Sequence, residues 1–300
     1  MRRHKTFEGW YFKHQNNDTV LAFIPGKSVD ETGKSRVFLQ IIWNEDSYSL
    51  DFNEEEYKVD KYHKRISIGN NVFSKQGVRV DIQSKDITLK GIIRYGCLNP
   101  IRYTIMGPFQ YLPMMECKHE VISMSHALQG KIMINGRVLV FNGGQGYIEG
   151  DSGCSFPKDY LWLQCNRFEE NEASIMISVA HIPFLGLSFK GCICVIHYKG
   201  KEYRFATYLG TRVICSCPKA IVLSQGNYRL KVYLSEQSQT QARQEDKKLN
   251  FSHSLLAPLN GLMNRYIKEE HLLQGRFLLF KKGKLTFDLF SNYVSYEYVE

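Results

Sequence analysis

KIMINGRVLVF, Lys131 to Phe141, places two short runs of apolar and β-branched residues on either side of Asn135-Gly136. An Asn-Gly pair tolerates positive φ at both positions of a tight turn, so this stretch reads as a two-residue β-hairpin. Lys199-Gly200 and Lys282-Gly283 stand between runs of the same kind and read in the same way. Outward from these hairpins the pattern recurs along nearly the whole chain. TVLAFIPG, SRVFLQIIW, GVRVDIQ, DITLKGIIRY, YLWLQCN, CICVIHY, YRLKVYLSE and LTFDLF follow one another between turn signals, at the spacing of an antiparallel meander. The expected architecture is all-β, with barrels or sandwiches as the stable closed forms. One segment departs. In PLNGLMNRYIKEEH, Pro258 to His271, the apolar residues Leu259, Leu262, Met263, Tyr266 and Ile267 follow helical spacing and predict one short helix near the C-terminus. The polar QSQTQARQEDKK before it reads as a surface loop.

A chain of 300 residues with 43% hydrophobic and 13% aromatic content can bury a substantial core. Two β domains are expected, residues 1–126 and 127–300, with Gly107 to His126 as connector and a ligand site between them. The net charge of +9 is spread among acids, as in KVDKYHKRISIGN, which argues against nucleic acid and leaves room for peripheral contact with an anionic membrane. MRRHKTFEGWYFK carries no apolar run of a signal peptide, so a cytoplasmic location is expected. The longest apolar stretch, Ala173 to Phe189, contains His181, Pro183 and Gly186 and reads as two strands around a turn.

The eight cysteines read as free thiols. Cys192, Cys194, Cys215 and Cys217 form two Cys-x-Cys pairs. A spacing of one residue inside a strand puts both thiols on one face, so buried structural thiols are expected rather than a zinc site. His119, His126, His181 and His197 sit in apolar surroundings without metal-ligand spacing and read as core histidines. No metal is expected.

Chemistry concentrates in GYIEGDSGCSFPKDYLWLQCN, Gly146 to Asn166. At strand periodicity Tyr147, Glu149 and Asp151 share one face. Beyond the Phe156-Pro157 corner, Tyr160, Trp162, Gln164 and Asn166 share another, with Leu161, Leu163 and Cys165 behind them. Two neighbouring carboxyls can divide acid and base roles, or can simply satisfy a turn and an ion pair. Buried amides such as Gln164 and Asn166 need a partner, which a bound hydroxyl or a neighbouring strand would supply. In FEGWYFK, Trp10 and Phe12 share a face with Glu8, as core or as the wall of an apolar cavity with Glu8 at its rim.

FEGWYFK (Phe7 to Lys13), the Gly146 to Asn166 block and CVIHYKGKEYRF (Cys194 to Phe205) occur in the order of motifs of the tocopherol cyclase family, which the chain resembles. The resemblance implies two lipocalin-like β-barrels, as in related carotenoid hydratases. It also implies a cofactor-free acid reaction in which an alkene of a prenylated quinol is protonated and the phenolic oxygen closes a ring. Asp151 is then the expected donor and Glu149 its tuning partner, with the order reversible, and Tyr147 a relay. Trp10, Glu8, Phe12, Phe156, Tyr160, Trp162, Gln164, Asn166 and His197 would contact a lipophilic substrate. A non-catalytic binding protein for such a ligand is the alternative. Ser152 and Tyr160 stand where the family commonly has Trp, which implies a differently shaped pocket.

Overall fold

The structure is a computed structural model that describes residues 5–60, 62–112, 115–168, 172–184, 187–236 and 254–300. The surface loop expected at 237–248 and Gly186 lie outside the described residues.

Strands dominate, as the alternating runs require. The first sheet contains β1 (Thr6–Asn16), β2 (Thr19–Val29), β3 (Ser35–Trp43), β4 (Asp46–Phe52), β5 (Tyr57–Asp60), β6 (Arg65–Ile68), β7 (Asn71–Ser74), β8 (Gly77–Gln83), β9 (Thr88–Tyr95), β10 (Cys117–Ile134), β11 (Arg137–Val140) and β12 (Gln145–Gly153). Its order is β4-β3-β2-β1-β12-β10-β9-β8-β7-β6-β5, with β11 paired to β10. β2 and β7 are far apart in that order, yet Phe73 meets Phe23 and Phe12 at ring separations of 5.6 and 5.7 Å. The sheet therefore curls over one apolar core, in which Trp10, Phe12, Leu39, Ile93, Ile132 and Ile148 are buried.

The second sheet contains β13 (Tyr160–Cys165), β14 (Ala173–Phe184), β15 (Leu187–Tyr198), β16 (Lys201–Ala206), β17 (Arg212–Cys217), β18 (Ala220–Gln225) and β19 (Tyr228–Ser235). After β20 (Leu255–Leu259) and β21 (Leu262–Ile267) it is completed by β22 (Glu269–Lys281) and β23 (Lys284–Val299). The order is β16-β15-β14-β13-β23-β22-β19-β18-β17. Gln225 on β18 reaches edge strand β16, accepting from Ala206 N–H at 3.2 Å and donating to Arg204 C=O at 3.0 Å, so this sheet also curls. The pairing of β14 with β15 shows the two strands expected within the apolar stretch.

The three expected hairpins are present. Asn135-Gly136, Lys199-Gly200 and Lys282-Gly283 each have positive φ at both positions, between paired flanking residues.

The helix expected over 258–271 is absent. β20 and β21 pair around Asn260-Gly261, whose φ values of 53° and 77° mark another tight turn. The Asn-Gly turn chemistry outweighs the helical spacing: Leu259, Leu262 and Tyr266 are exposed, while Met263 and Ile267 face inward. β20 docks on the first sheet through Gln40, whose amide donates to Leu256 C=O at 2.9 Å and accepts from Leu256 N–H at 2.6 Å.

The domain division also differs. One compact unit comprises Met1–Pro100, Glu116–Phe156 and Ser252–Tyr266, and the other comprises Ile101–Met115, Pro157–Phe251 and Ile267–Glu300. The expected 126/127 boundary falls inside β10. Register shifts between Val121 and Ser123 and between Ser123 and His126 break the alternation of that strand, which is why its sequence reads as a connector.

Within the second unit, residues 101–104 are tied to β16 by the motif that contains His197. Arg204 donates to Thr104 C=O at 3.0 Å, Tyr103 C=O at 2.9 Å and Glu202 at 3.0 Å, and stacks 3.7 Å from the Tyr103 ring. Glu202 also accepts from Arg102 N–H at 2.9 Å and lies 3.3 Å from His197 Nε2. A planar guanidinium fits this set of acceptors as no other side chain does. Arg204→Ala is expected to lower the unfolding free energy by about 2 kcal/mol and to speed proteolysis within 101–112, measured by urea unfolding and limited digestion.

Candidate active site

β12 lies between β1 and β10, and its alternation divides the central motif between two faces. Gly146, Ile148 and Gly150 look into the first core. Trp10 stands across from Gly150, and a Cβ there would come within 3.1 Å of the indole. Tyr147, Glu149 and Asp151 look out from the opposite face, as their spacing predicts.

Neighbouring strands add polar groups to that outer face. β10 places His119 across from Asp151 and Val121 across from Glu149. β1 places Gly9 across from Asp151, Tyr11 across from Glu149, Lys13 across from Tyr147 and Gln15 across from Gln145. Tyr11, Lys13, Gln15, Tyr147 and Glu149 are buried although the face is largely polar. At Gly9 an added Cβ would meet only Ile24 Cγ2, at 3.9 Å, an ordinary contact distance.

The imidazole of His119 is the centre. Its Nδ1 lies 2.8 Å from Asp151 Oδ1 and its Nε2 3.2 Å from Glu149 Oε2, the first an aligned hydrogen bond and the second a close ionic approach. Tyr147 donates its hydroxyl to the same Glu149 oxygen at 2.5 Å, and Cys117 Sγ lies 3.5 Å from Asp151 Oδ1. Burial alone would lower the His119 pKa, but the adjacent Asp151 and Glu149 carboxylates outweigh it and hold the ring well above its ordinary value. Burial next to Glu149 pushes the Tyr147 phenol up, and burial beside Asp151 does the same to the Cys117 thiol. The phenol therefore stays a donor and the thiol stays protonated. The two carboxylates thus favour the imidazolium form of His119 between them. Ligand atoms of His119, Glu149 and Asp151 all fall within 4.8 Å of one another, but both ring nitrogens are already engaged by carboxylates.

Residues 75–217 match the family described as Tocopherol cyclase-like, a span that includes His119 and the whole central motif. Over that span the chain is similar to the tocopherol cyclase-like family. "Probable tocopherol cyclase, chloroplastic" of Oryza sativa subsp. japonica is 21% identical over an alignment covering 68% of this chain and 57% of that protein, so the chain spans little more than half of that relative's length. In fold, the chain is similar to CghA, with a TM-score of 0.58 at 8% identity over 99% of this chain and 88% of the other. It is also similar to kievitone hydratase from Nectria haematococca, with a TM-score of 0.52 at 12% identity over 98% and 89%.

Other expected site residues fall elsewhere. Trp10 and Phe12 are in the first core on the face away from Glu149, with Lys64 Nζ 4.9 Å from the Trp10 ring. Pleating forces that separation, because residues adjacent in a strand cannot share a face. Glu8 goes with Trp10. Phe156 packs edge-on against Phe7 at 5.4 Å. Tyr160, Trp162 and Gln164 do share a buried face of β13, with Leu161, Leu163 and Cys165 in the core behind it, and Asn166 is buried just past the strand's end. There Tyr160 donates to Glu297 at 2.7 Å and Gln164 stands across from Ser295. His197 belongs to the Arg204 clamp. His181 is exposed, 3.7 Å from Asp159, and is no core histidine. Cys192 and Cys194 are buried in the second core, whereas Cys215 and Cys217 are half-buried, with sulfurs 3.7 Å apart. Among the described residues no helix is long and apolar enough to cross a membrane.

Sequence reasoning missed His119, Gly9, Tyr11, Lys13 and Gln15. The signal was the second face of FEGWYFKHQ, whose alternate residues Gly9, Tyr11, Lys13 and Gln15 are small or polar while the first face is aromatic.

Proposed function

We propose that the chain is a cofactor-free acid catalyst that closes an oxygen ring on a prenylated aromatic alcohol, with Glu149 as proton donor. The observation that carries this reading is the buried His119 ring held between Asp151 and Glu149, with Tyr147 on the same Glu149 oxygen. Glu149 rather than Asp151 is the donor because it is buried beside Val121 and Tyr11, while Asp151 is half-buried at the edge of the face.

In the reaction His119 passes its proton to Glu149, and the Glu149 carboxyl gives it to the less substituted alkene carbon, breaking the π bond and leaving a tertiary cation. The carboxylate left behind is met by the Tyr147 hydroxyl, which favours transfer. The Tyr11 and Tyr147 rings, 6.5 Å apart and edge-on, offer π density to the cation. The phenolic oxygen then bonds to the cationic carbon and its proton passes to Asp151. Asp151 then returns that proton to His119, which restores the starting state. One proton enters and one leaves, so product and substrate are isomers. Capture by water instead would be a hydration, the activity named for one fold neighbour.

Incubation with a polyprenyl hydroquinone in D₂O is the test. Ring closure should give a product of unchanged mass in H₂O that carries one deuterium on the former alkene carbon in D₂O. Tight binding with the alkene recovered intact would identify a lipophilic-ligand carrier instead.

A further inference from the structure

On the same face as Glu149, four residues along β1 from Tyr11, stands Gln15. Its side chain is fully buried, and neither the amide oxygen nor the amide nitrogen has a hydrogen-bond partner. Gln145, directly across on β12, does not supply one and instead accepts from the Ser125 hydroxyl at 2.8 Å. The nearest β2 residue in the ladder, Val20, is apolar. A buried primary amide without partners bears a desolvation penalty that an apolar side chain of similar size would avoid. The same structure shows what a satisfied buried amide looks like, in Gln40 with both atoms bonded to Leu256.

We infer that Gln15 is a specificity-determining contact of the site and takes a hydroxyl on the polar head of the ligand. A hydroxyl both donates and accepts, which matches an amide with an open C=O and an open N–H. The backbone positions of Gln15 and Tyr11 are about 13 Å apart at strand rise, and side-chain lean along the strand adjusts that reach. A ligand with its alkene at Glu149 therefore extends its head along the Lys13–Tyr147 row toward Gln15. This inference rests on the acid-catalyst reading only for the position of the alkene. The hydroxyl contact stands on Gln15 itself.

The test compares a polyprenyl hydroquinone with its dimethyl ether, binding being followed by quenching of tryptophan fluorescence. The native protein is expected to prefer the hydroquinone by about tenfold or more. Gln15→Met should abolish the preference while raising the urea midpoint of the ligand-free protein, and Glu149→Gln should leave the preference in place. An unchanged preference in Gln15→Met overturns the inference, even where the hydroquinone is cyclised. A preference that depends on Gln15, with no cyclisation by the native protein, upholds the inference and sinks the catalytic reading alone.

Discussion

Glu149→Gln should lower ring closure of a polyprenyl hydroquinone by about 10²- to 10⁴-fold, the usual worth of a positioned general acid. Gln keeps the shape and can still accept from Tyr147, so the loss falls on proton delivery and not on folding. Binding of the hydroquinone, read by fluorescence, should change by less than about threefold, placing the effect in kcat and not in KM. The pH profile sharpens the point. His119 has its folded pKa raised, so its imidazolium is present below that value and lost as pH rises through it. Activity that depends on the imidazolium should fall on the alkaline side. A Glu149→Gln protein that closes rings at the native rate would remove Glu149 from the chemistry and return the donor role to Asp151.

The fold was legible wherever local chemistry had one solution. Asn-Gly and Lys-Gly turns between alternating runs allow little except hairpins, and all three expected at 135, 199 and 282 are present. The same chemistry at Asn260-Gly261 was read as helix because five apolar residues happened to fall at helical spacing. A turn residue at positive φ is a stronger constraint than a short periodicity, since the latter costs nothing to abandon once tertiary packing chooses another face.

The candidate site was legible along β12 and opaque across it. Spacing placed Tyr147, Glu149 and Asp151 on one face, because that follows from a single strand. Which residues stand beside them depends on register between strands more than a hundred residues apart, and Tyr11 rather than Trp10 was the residue across from Glu149. The aromatic face of β1 attracts the ligand-binding assignment because Trp and Phe are conspicuous, whereas the cluster around Glu149 lies on the quieter face. His119 was hidden for a similar reason, since its place beside Asp151 is set by the register of β10 against β12.

Acid should destabilise the protein through its interior histidines rather than through the His119 cluster. His14, fully buried inside the first sheet, has its Nδ1 2.9 Å from Leu21 C=O and its Nε2 2.6 Å from the Tyr95 hydroxyl, so Nδ1 carries the proton and Nε2 accepts. His126 packs its ring 4.3 Å from that of Tyr95, with Nδ1 3.0 Å from Ser123 Oγ and Nε2 without a partner against Gly146, where an added Cβ would lie 2.2 Å from that nitrogen. A second proton would aim at the Tyr95 oxygen in one case and at bare backbone in the other. Burial accordingly lowers His14 to about 4, and burial together with His14 lowers His126 to about 3. Both folded values lie below the unfolded value of about 6.5, so above that pH neither group affects stability. As pH falls through the window from 6.5 toward 4, the unfolded chain binds protons that the folded chain refuses. Each group then removes about 1.4 kcal/mol per pH unit, about 2.7 kcal/mol per unit together. His119, with its pKa raised, contributes the opposite way: its stabilisation is fully present below pH 6.5 and lost only as pH rises through its folded value. Urea unfolding of His14→Gln/His126→Asn between pH 7 and pH 4 is therefore expected to show a shallower loss of stability than the native chain. Parallel slopes for the two proteins would mean that the interior histidines titrate freely in the fold, and that its acid sensitivity has its origin in the carboxylates.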